Sequence, residues 1–182
     1  MKKRVEIVTI SQIDVMRGTS DVDLTGLSEL LLEHKENRLN SEPSHTHYED
    51  SFCPDHPTVD KISSELMSII KEATKLNLVL HSKWAHIHEK NMSTNIHDHY
   101  PCDISTVFYV SVPEGSGNIC FHPSYNKYSL AREMFQPHEG MFLIFPGTLQ
   151  HSVTRNHSEQ PRISLSFNFS IVDNNIGYRY NN

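Results

Sequence analysis

The chain is short of the features that mark membrane, secreted and nucleic-acid-binding proteins. Its longest apolar runs, such as Met141 to Phe145, fall far below the roughly 18 to 20 residues that a membrane span needs. The first residues, MKKRVEIVTI, start basic, but only a short alternating stretch with Glu6 inside follows, which is not the apolar core of a signal peptide. A cytoplasmic protein is the expectation. Lys and Arg number 16 against 22 Asp and Glu, a formal net charge of -6, and no basic cluster extends beyond Lys2, Lys3 and Arg4. Such a balance offers phosphate backbones no general attraction, so bulk nucleic-acid binding is disfavoured. Cysteine is scarce too. Cys53, Cys102 and Cys120 are an odd number at spacings that match neither a zinc knuckle nor a disulfide framework, and they read as reduced thiols.

What is present is a folded pattern. Hydrophobic residues make up 37% of the 182 positions and aromatics 9%, on the polar side of globular, but they come in periodic clusters. The length suits one domain over residues 1–182. Two regions of different period are expected inside it. Residues 1–77 read as a strand, Val5 to Ile10, followed by two amphipathic helices. One carries Leu27, Leu30, Leu31 and His34 behind a Thr25 cap; the other carries Val59, Ile62, Leu66, Ile69 and Ala73 behind Pro57 and Thr58. The polar stretch from Asn37 to Pro57 that joins them reads as a lid or a loose surface loop. Over residues 78–172 the period falls to two, with strands at Leu78 to His88, Ser105 to Val112, Asn118 to His122, Met141 to Phe145, His151 to Arg155 and Arg162 to Ile171. Turn chemistry at Pro113-Glu114-Gly115, Pro137 to Gly140 and Pro146-Gly147 separates them. Residues 173–182 are an Asn-rich tail. Many short strands in about a hundred residues imply a mainly β fold, a sandwich or barrel, with the helices added as in an α+β protein. From Arg162 to Ile171 every odd-numbered residue is apolar and every even-numbered one polar, so one face packs and the other is wet or functional.

Thirteen histidines are the compositional anomaly. His97 and His99 lie two apart, which on a strand puts both imidazoles on one face, able to meet one ion. Asp103 follows as the more plausible carboxylate neighbour, since Asp98 would point the other way. His151 arrives directly after a Pro-Gly turn, held by scaffold on both sides. Arg162 and Ser164 share the polar face of the last strand; in a barrel interior an unpaired guanidinium must meet an anion. Taken singly, each piece has an ordinary explanation: a surface histidine pair, a capped surface histidine, an arginine at an exposed strand start.

In combination they resemble a known family. The order Trp84, His97-Asp98-His99, Phe108-Tyr109, Gly140 to Pro146, His151, then Arg162-Ile163-Ser164 through Asn168 is similar to the non-haem iron(II) and 2-oxoglutarate-dependent oxygenases, in particular the small ones of phage and bacterial genomes. The resemblance covers about residues 84 to 170. It implies a double-stranded β-helix, the jelly-roll shared with cupins, braced by the N-terminal helices. It also implies Fe(II) held by His97, His99 and His151, with Asp103 as a possible further ligand, and 2-oxoglutarate laid against Arg162 and Ser164, with Tyr109 able to bond its carboxylate. The reaction would consume O2 and hydroxylate a C–H bond of a small molecule or protein side chain, releasing succinate and CO2. One departure stands out: the family's usual His-x-Asp is His97-x-His99 here. Three histidines with Asp103 and Gly140-x5-Pro146 also look like the cupin pattern, a metal-dependent dioxygenase or isomerase that need not use 2-oxoglutarate. A β-sandwich binding module with incidental histidines is the third reading. Beside the site, His86 is a candidate pocket residue, Trp84 is read as packing, and Asn95 and Asn168 as possible pocket amides.

Overall fold

The computed structural model describes residues 13–41, 53–123 and 132–172. The strand expected over Val5 to Ile10, most of the joining stretch and the tail from residue 173 lie outside the described residues. In chain order the elements are β1 (Met16–Thr19), α1 (Leu27–Ser41), α2 (Pro57–Thr74), β2 (Leu78–His88), β3 (Thr94–His97), β4 (Ile104–Ser111), β5 (Ile119–Phe121), β6 (Glu133–Phe135), β7 (Met141–Pro146), β8 (His151–Val153) and β9 (Arg162–Ile171). The strands form two antiparallel sheets, ordered β1-β7-β4-β9-β2 and β3-β8-β5-β6. This is the double-stranded β-helix, with α1 and α2 bracing the larger sheet. No helix among the described residues is long and apolar enough to cross a membrane.

Helix α2 shows why these residues fold as they do. Pro57 sits at the first helical position, where its missing N–H costs nothing, and His56 is extended behind it, its Nδ1 accepting from the Thr58 N–H at 3.3 Å. Asp60 in the first turn and Lys71 in the last complement the helix dipole. Lys75 ends the helix in the left-handed region, φ 62°, and its N–H bonds to the Lys71 carbonyl at 2.9 Å. The stripe Val59, Ile62, Leu66 and Ile70 is buried against the sheet, as are Leu27 and Leu31 of α1.

The larger sheet therefore has two covered faces. Its outer face, Ile163, Leu165, Phe167 and Phe169 of β9 with Phe108, Val110, Phe142 and Ile144, forms one core with the helices. Its inner face contributes Val107, Tyr109, Met141, Leu143 and Phe145 to a second core, shared with Ile119 and Phe121 of the smaller sheet. Burial on both sides explains why β7 is apolar at consecutive positions rather than alternating. On β9 the inner face is instead Arg162, Ser164, Ser166 and Asn168, all buried. The polar face is the interior of the barrel, and the hydroxyls and guanidinium point into the space between the sheets.

Candidate metal and cosubstrate site

His97 ends β3 and His151 begins β8, and the two are register partners across the smaller sheet. His99 reaches them differently from the strand geometry expected. It lies two residues past β3, and its place is set by the chain around the Pro146-Gly147 turn: the His99 N–H donates to the Gly147 carbonyl at 2.7 Å, and the Gly147 N–H to the Asp103 carbonyl at 2.9 Å. A Cβ on Gly147 would lie 2.1 Å from the Cys102 carbonyl oxygen, so only glycine permits this approach.

The three rings converge. Centroids are 4.3 Å apart for His97 and His151, 4.9 Å for His99 and His151, and 5.0 Å for His97 and His99. One nitrogen from each ring lies within 4.8 Å of the others. His97 donates its Nδ1–H to the Asn95 carbonyl and His151 its Nδ1–H to the Leu149 carbonyl, both at 2.9 Å. A carbonyl only accepts, so each Nδ1 carries the proton and each Nε2 presents its lone pair, the outer-shell arrangement that metal-binding imidazoles use. Burial pushes the His151 pKa down to about 3 and that of His99 down to about 4, which keeps them neutral and able to coordinate at neutral pH. The donor set fits a first-row divalent metal.

Asp103 does not join them. Its backbone was expected to continue the histidine strand, but the chain turns away after His99, and the Asp103 carboxylate accepts the Ile171 N–H at 2.8 Å, tying off the end of β9. The Asp98 carboxylate accepts the Tyr100 N–H at 3.1 Å. Among the described residues the cluster is three imidazoles and no acid.

Arg162, Ser164 and Tyr109 line the same pocket as the histidines. Arg162 and Tyr109 are each 1% exposed. The guanidinium donates from Nη2 to His88 Nδ1 at 3.1 Å and from Nη1 to the Ser116 carbonyl at 3.4 Å, while its Nε is buried with no partner. No ion pair to a carboxylate satisfies it among the described residues, and burial lowers its pKa. A cation taken out of water without a counter-ion is several kcal/mol short of its solvation, on the order of what an incoming anion would restore. The pocket therefore suits a small carboxylate held between arginine and metal. Burial likewise drives the Tyr109 hydroxyl pKa up, so it stays protonated and can donate.

Trp84 and His86 both line the pocket, the tryptophan with its ring centroid 5.3 Å from that of His99. Trp84 is thus more than packing. Asn168 bonds to Ser105, its Oδ1 accepting at 2.7 Å, and Asn95 offers the His97 ring a backbone carbonyl. Sequence reasoning passed over Ser166, Thr94 and His88. The signal for two of them was in the alternation: Ser166 follows Arg162 and Ser164 on the inner face of β9, and His88 follows Trp84 and His86 on β2. Thr94 opens the short β3, which carries no such pattern.

Barrel and imidazole cluster together make a double-stranded β-helix protein with three histidines placed so that they could hold a metal ion. Its core is similar to that of the 2-oxoglutarate and iron(II) oxygenases: residues 82–168, just under half of the chain, match the family model described as "Putative 2OG-Fe(II) oxygenase". The cofactor and cosubstrate of that family are Fe(II) and 2-oxoglutarate, with O2 as the second cosubstrate. No curated protein matches the chain in sequence. Among solved structures, the fold is similar to an oxidoreductase of the 2OG-Fe(II) oxygenase family from Burkholderia pseudomallei, at 15% identity and TM-score 0.54 over 65% of this chain and 61% of that one. It is similar to the viral collagen prolyl hydroxylase of Paramecium bursaria Chlorella virus-1, truncated, at 13% identity and TM-score 0.63 over 95% of this chain and 99% of that one. HygX from Streptomyces hygroscopicus, solved with nickel and 2-oxoglutarate bound, aligns at 13% identity and TM-score 0.60 over 86% of this chain and 81% of that one.

Proposed function

We propose that the protein is an Fe(II)- and 2-oxoglutarate-dependent dioxygenase that hydroxylates a C–H bond of an organic substrate and releases succinate and CO2. The observation that carries the reading is the buried Arg162, with no carboxylate partner among the described residues, in one pocket with the three convergent histidines. His97, His99 and His151 would hold the iron. Arg162 would receive the far carboxylate of 2-oxoglutarate, with Ser164 and Tyr109 donating to it. Bound iron and cosubstrate supply the oxidising chemistry; the protein's part is to orient, to exclude water and to keep its ligands deprotonated. Trp84 and His86 would wall the space where substrate enters, and Asp103 would serve the barrel rather than the metal.

The experiment is to follow 2-oxoglutarate consumption in air with Fe(II)-loaded protein. Succinate formed in step with the 2-oxoglutarate lost, and absent without iron, is the expected result. A second reading is favoured by one observation, the imidazole of His99 where the family's usual pattern has an acid. It is a cupin-type enzyme that uses the metal without 2-oxoglutarate, and iron uptake with no succinate would select it.

A further inference from the structure

Buried arginines are ordinarily held by carboxylates, which orient the guanidinium and cancel its charge together. Arg162 is held by a histidine and, more loosely at 3.4 Å, by the Ser116 carbonyl. His88 is its register partner on β2, is 6% exposed, and lies outside the imidazole cluster. Because a guanidinium can only donate, the 3.1 Å contact from Arg162 Nη2 requires an unprotonated His88 Nδ1. The proton is then on Nε2, which donates to Thr94 Oγ1 at 2.7 Å. The backbone of His88 is fixed as well: Asn156, fully buried, donates from Nδ2 to the His88 carbonyl at 2.8 Å and to the Gln160 carbonyl at 3.0 Å, joining the end of β2 to the segment that leads into Arg162.

We infer that His88 is a positioning residue for Arg162: its neutral imidazole aims the guanidinium into the pocket without neutralising it, which reserves the positive charge for the carboxylate of the cosubstrate. The inference rests on the proposed reading of Arg162. Two independent features support it. Among the described residues no Asp or Glu lines the pocket, so none of them competes there for the arginine's charge. The groups facing His88 are Arg162 from β9, His86 from its own strand and Thr94 from β3, a set that favours the uncharged ring. In agreement, burial first, then Arg162 and His86, pushes the His88 pKa down to about 3.

The test is calorimetric titration of nickel-loaded protein with 2-oxoglutarate, comparing wild type with His88→Asn, His88→Asp and His88→Leu. Nickel affinity and thermal midpoint are measured on the same samples. Asparagine can offer its carbonyl where Nδ1 lies, so its cosubstrate Kd should stay within about threefold of wild type; leucine, which leaves the guanidinium unaimed, should weaken binding about tenfold. Aspartate has nearly the shape of asparagine but forms an ion pair with Arg162, and it should weaken binding about a hundredfold while nickel affinity holds. A merely structural histidine would make Asn and Asp alike, and equal Kd values for those two, or a wild-type Kd in the leucine variant, would overturn the inference. Thr94→Val offers a milder route should a His88 variant fail to fold: freeing the Nε2–H lets the wrong tautomer compete, and cosubstrate binding should weaken severalfold, an unchanged Kd counting against it. Failure of the underlying reading looks different, because wild type itself would then take up nickel and no 2-oxoglutarate. An ¹⁵N spectrum of His88 near neutral pH should show protonated Nε2 and bare Nδ1; the reverse tautomer would contradict the arrangement directly.

Discussion

Arg162 is the residue whose energetics and role oppose each other most sharply. Held in the barrel with no counter-ion among the described residues, its charge costs stability that the protein without cosubstrate does not recover. Arg162→Met, which keeps the volume and removes the charge, should therefore stabilise the metal-free protein by about 1 to 3 kcal/mol in urea denaturation while weakening 2-oxoglutarate binding by at least about tenfold. A variant that loses stability and keeps its cosubstrate affinity would show that the arginine is structural. At this scale much was legible in the chain. The polar face of β9 is spelled out by alternation, and Arg162 and Ser164 follow from it. Asp103 was misplaced because spacing says nothing about where a chain turns, and its carboxylate went to a backbone N–H at the end of β9. His88 was passed over for another reason: the alternation of β2 puts it on the face of Trp84 and His86, but that does not show that its partner is Arg162.

Among the elements, the turn at Pro146-Gly147 carries more of the site than its length suggests. It ends β7, precedes His151, and through Gly147 holds the backbone of both His99 and Asp103. Gly147→Ala would drive a Cβ into the Cys102 carbonyl and force that chain apart. The expected result is a metal affinity reduced by about 10- to 100-fold, as for other losses of ligand support, read by competition with a chromophoric chelator. Unchanged affinity would mean that His99 does not depend on this turn. The long strands β2 and β9 have the same bounds by sequence pattern as in the structure, because each repeats its period over ten or more residues. β1 and β6 have only four and three residues and went unforeseen, and β3, four residues long, was anticipated only as a strand carrying both His97 and His99, whereas it ends before His99. β1 even contains Gly18, a poor strand former that is required because a Cβ there would lie 2.3 Å from Phe142 Cζ. What makes these strands is the neighbour they pair with, and a local pattern does not contain that.

For the molecule as a whole, a barrel that keeps imidazoles neutral inside must weaken in acid. In the unfolded chain His88 takes up a proton below about pH 6.5, whereas in the fold its pKa is pushed down to about 3, by burial first and then by Arg162. Between those values the unfolded state binds the extra proton, so stability falls as pH falls, by up to about 1.4 kcal/mol per pH unit for this one group. Urea midpoints of the metal-free protein at pH 7, 6 and 5 should decline, and more steeply than those of His88→Asn; equal slopes would remove His88 as a source. The helices do not touch this chemistry directly, but they bury the outer face of β9 and so hold its inner face in register with β2 and β4. The central claim is that the three imidazoles and Arg162 together receive iron and a 2-oxo acid. Its most direct test is an anaerobic titration of the metal-free protein with Fe(II) and then 2-oxoglutarate, watching for the visible charge-transfer absorption of a chelated 2-oxo acid. The account predicts a band that grows to saturation with 2-oxoglutarate and is lost in His151→Ala; iron that binds with no band would contradict it.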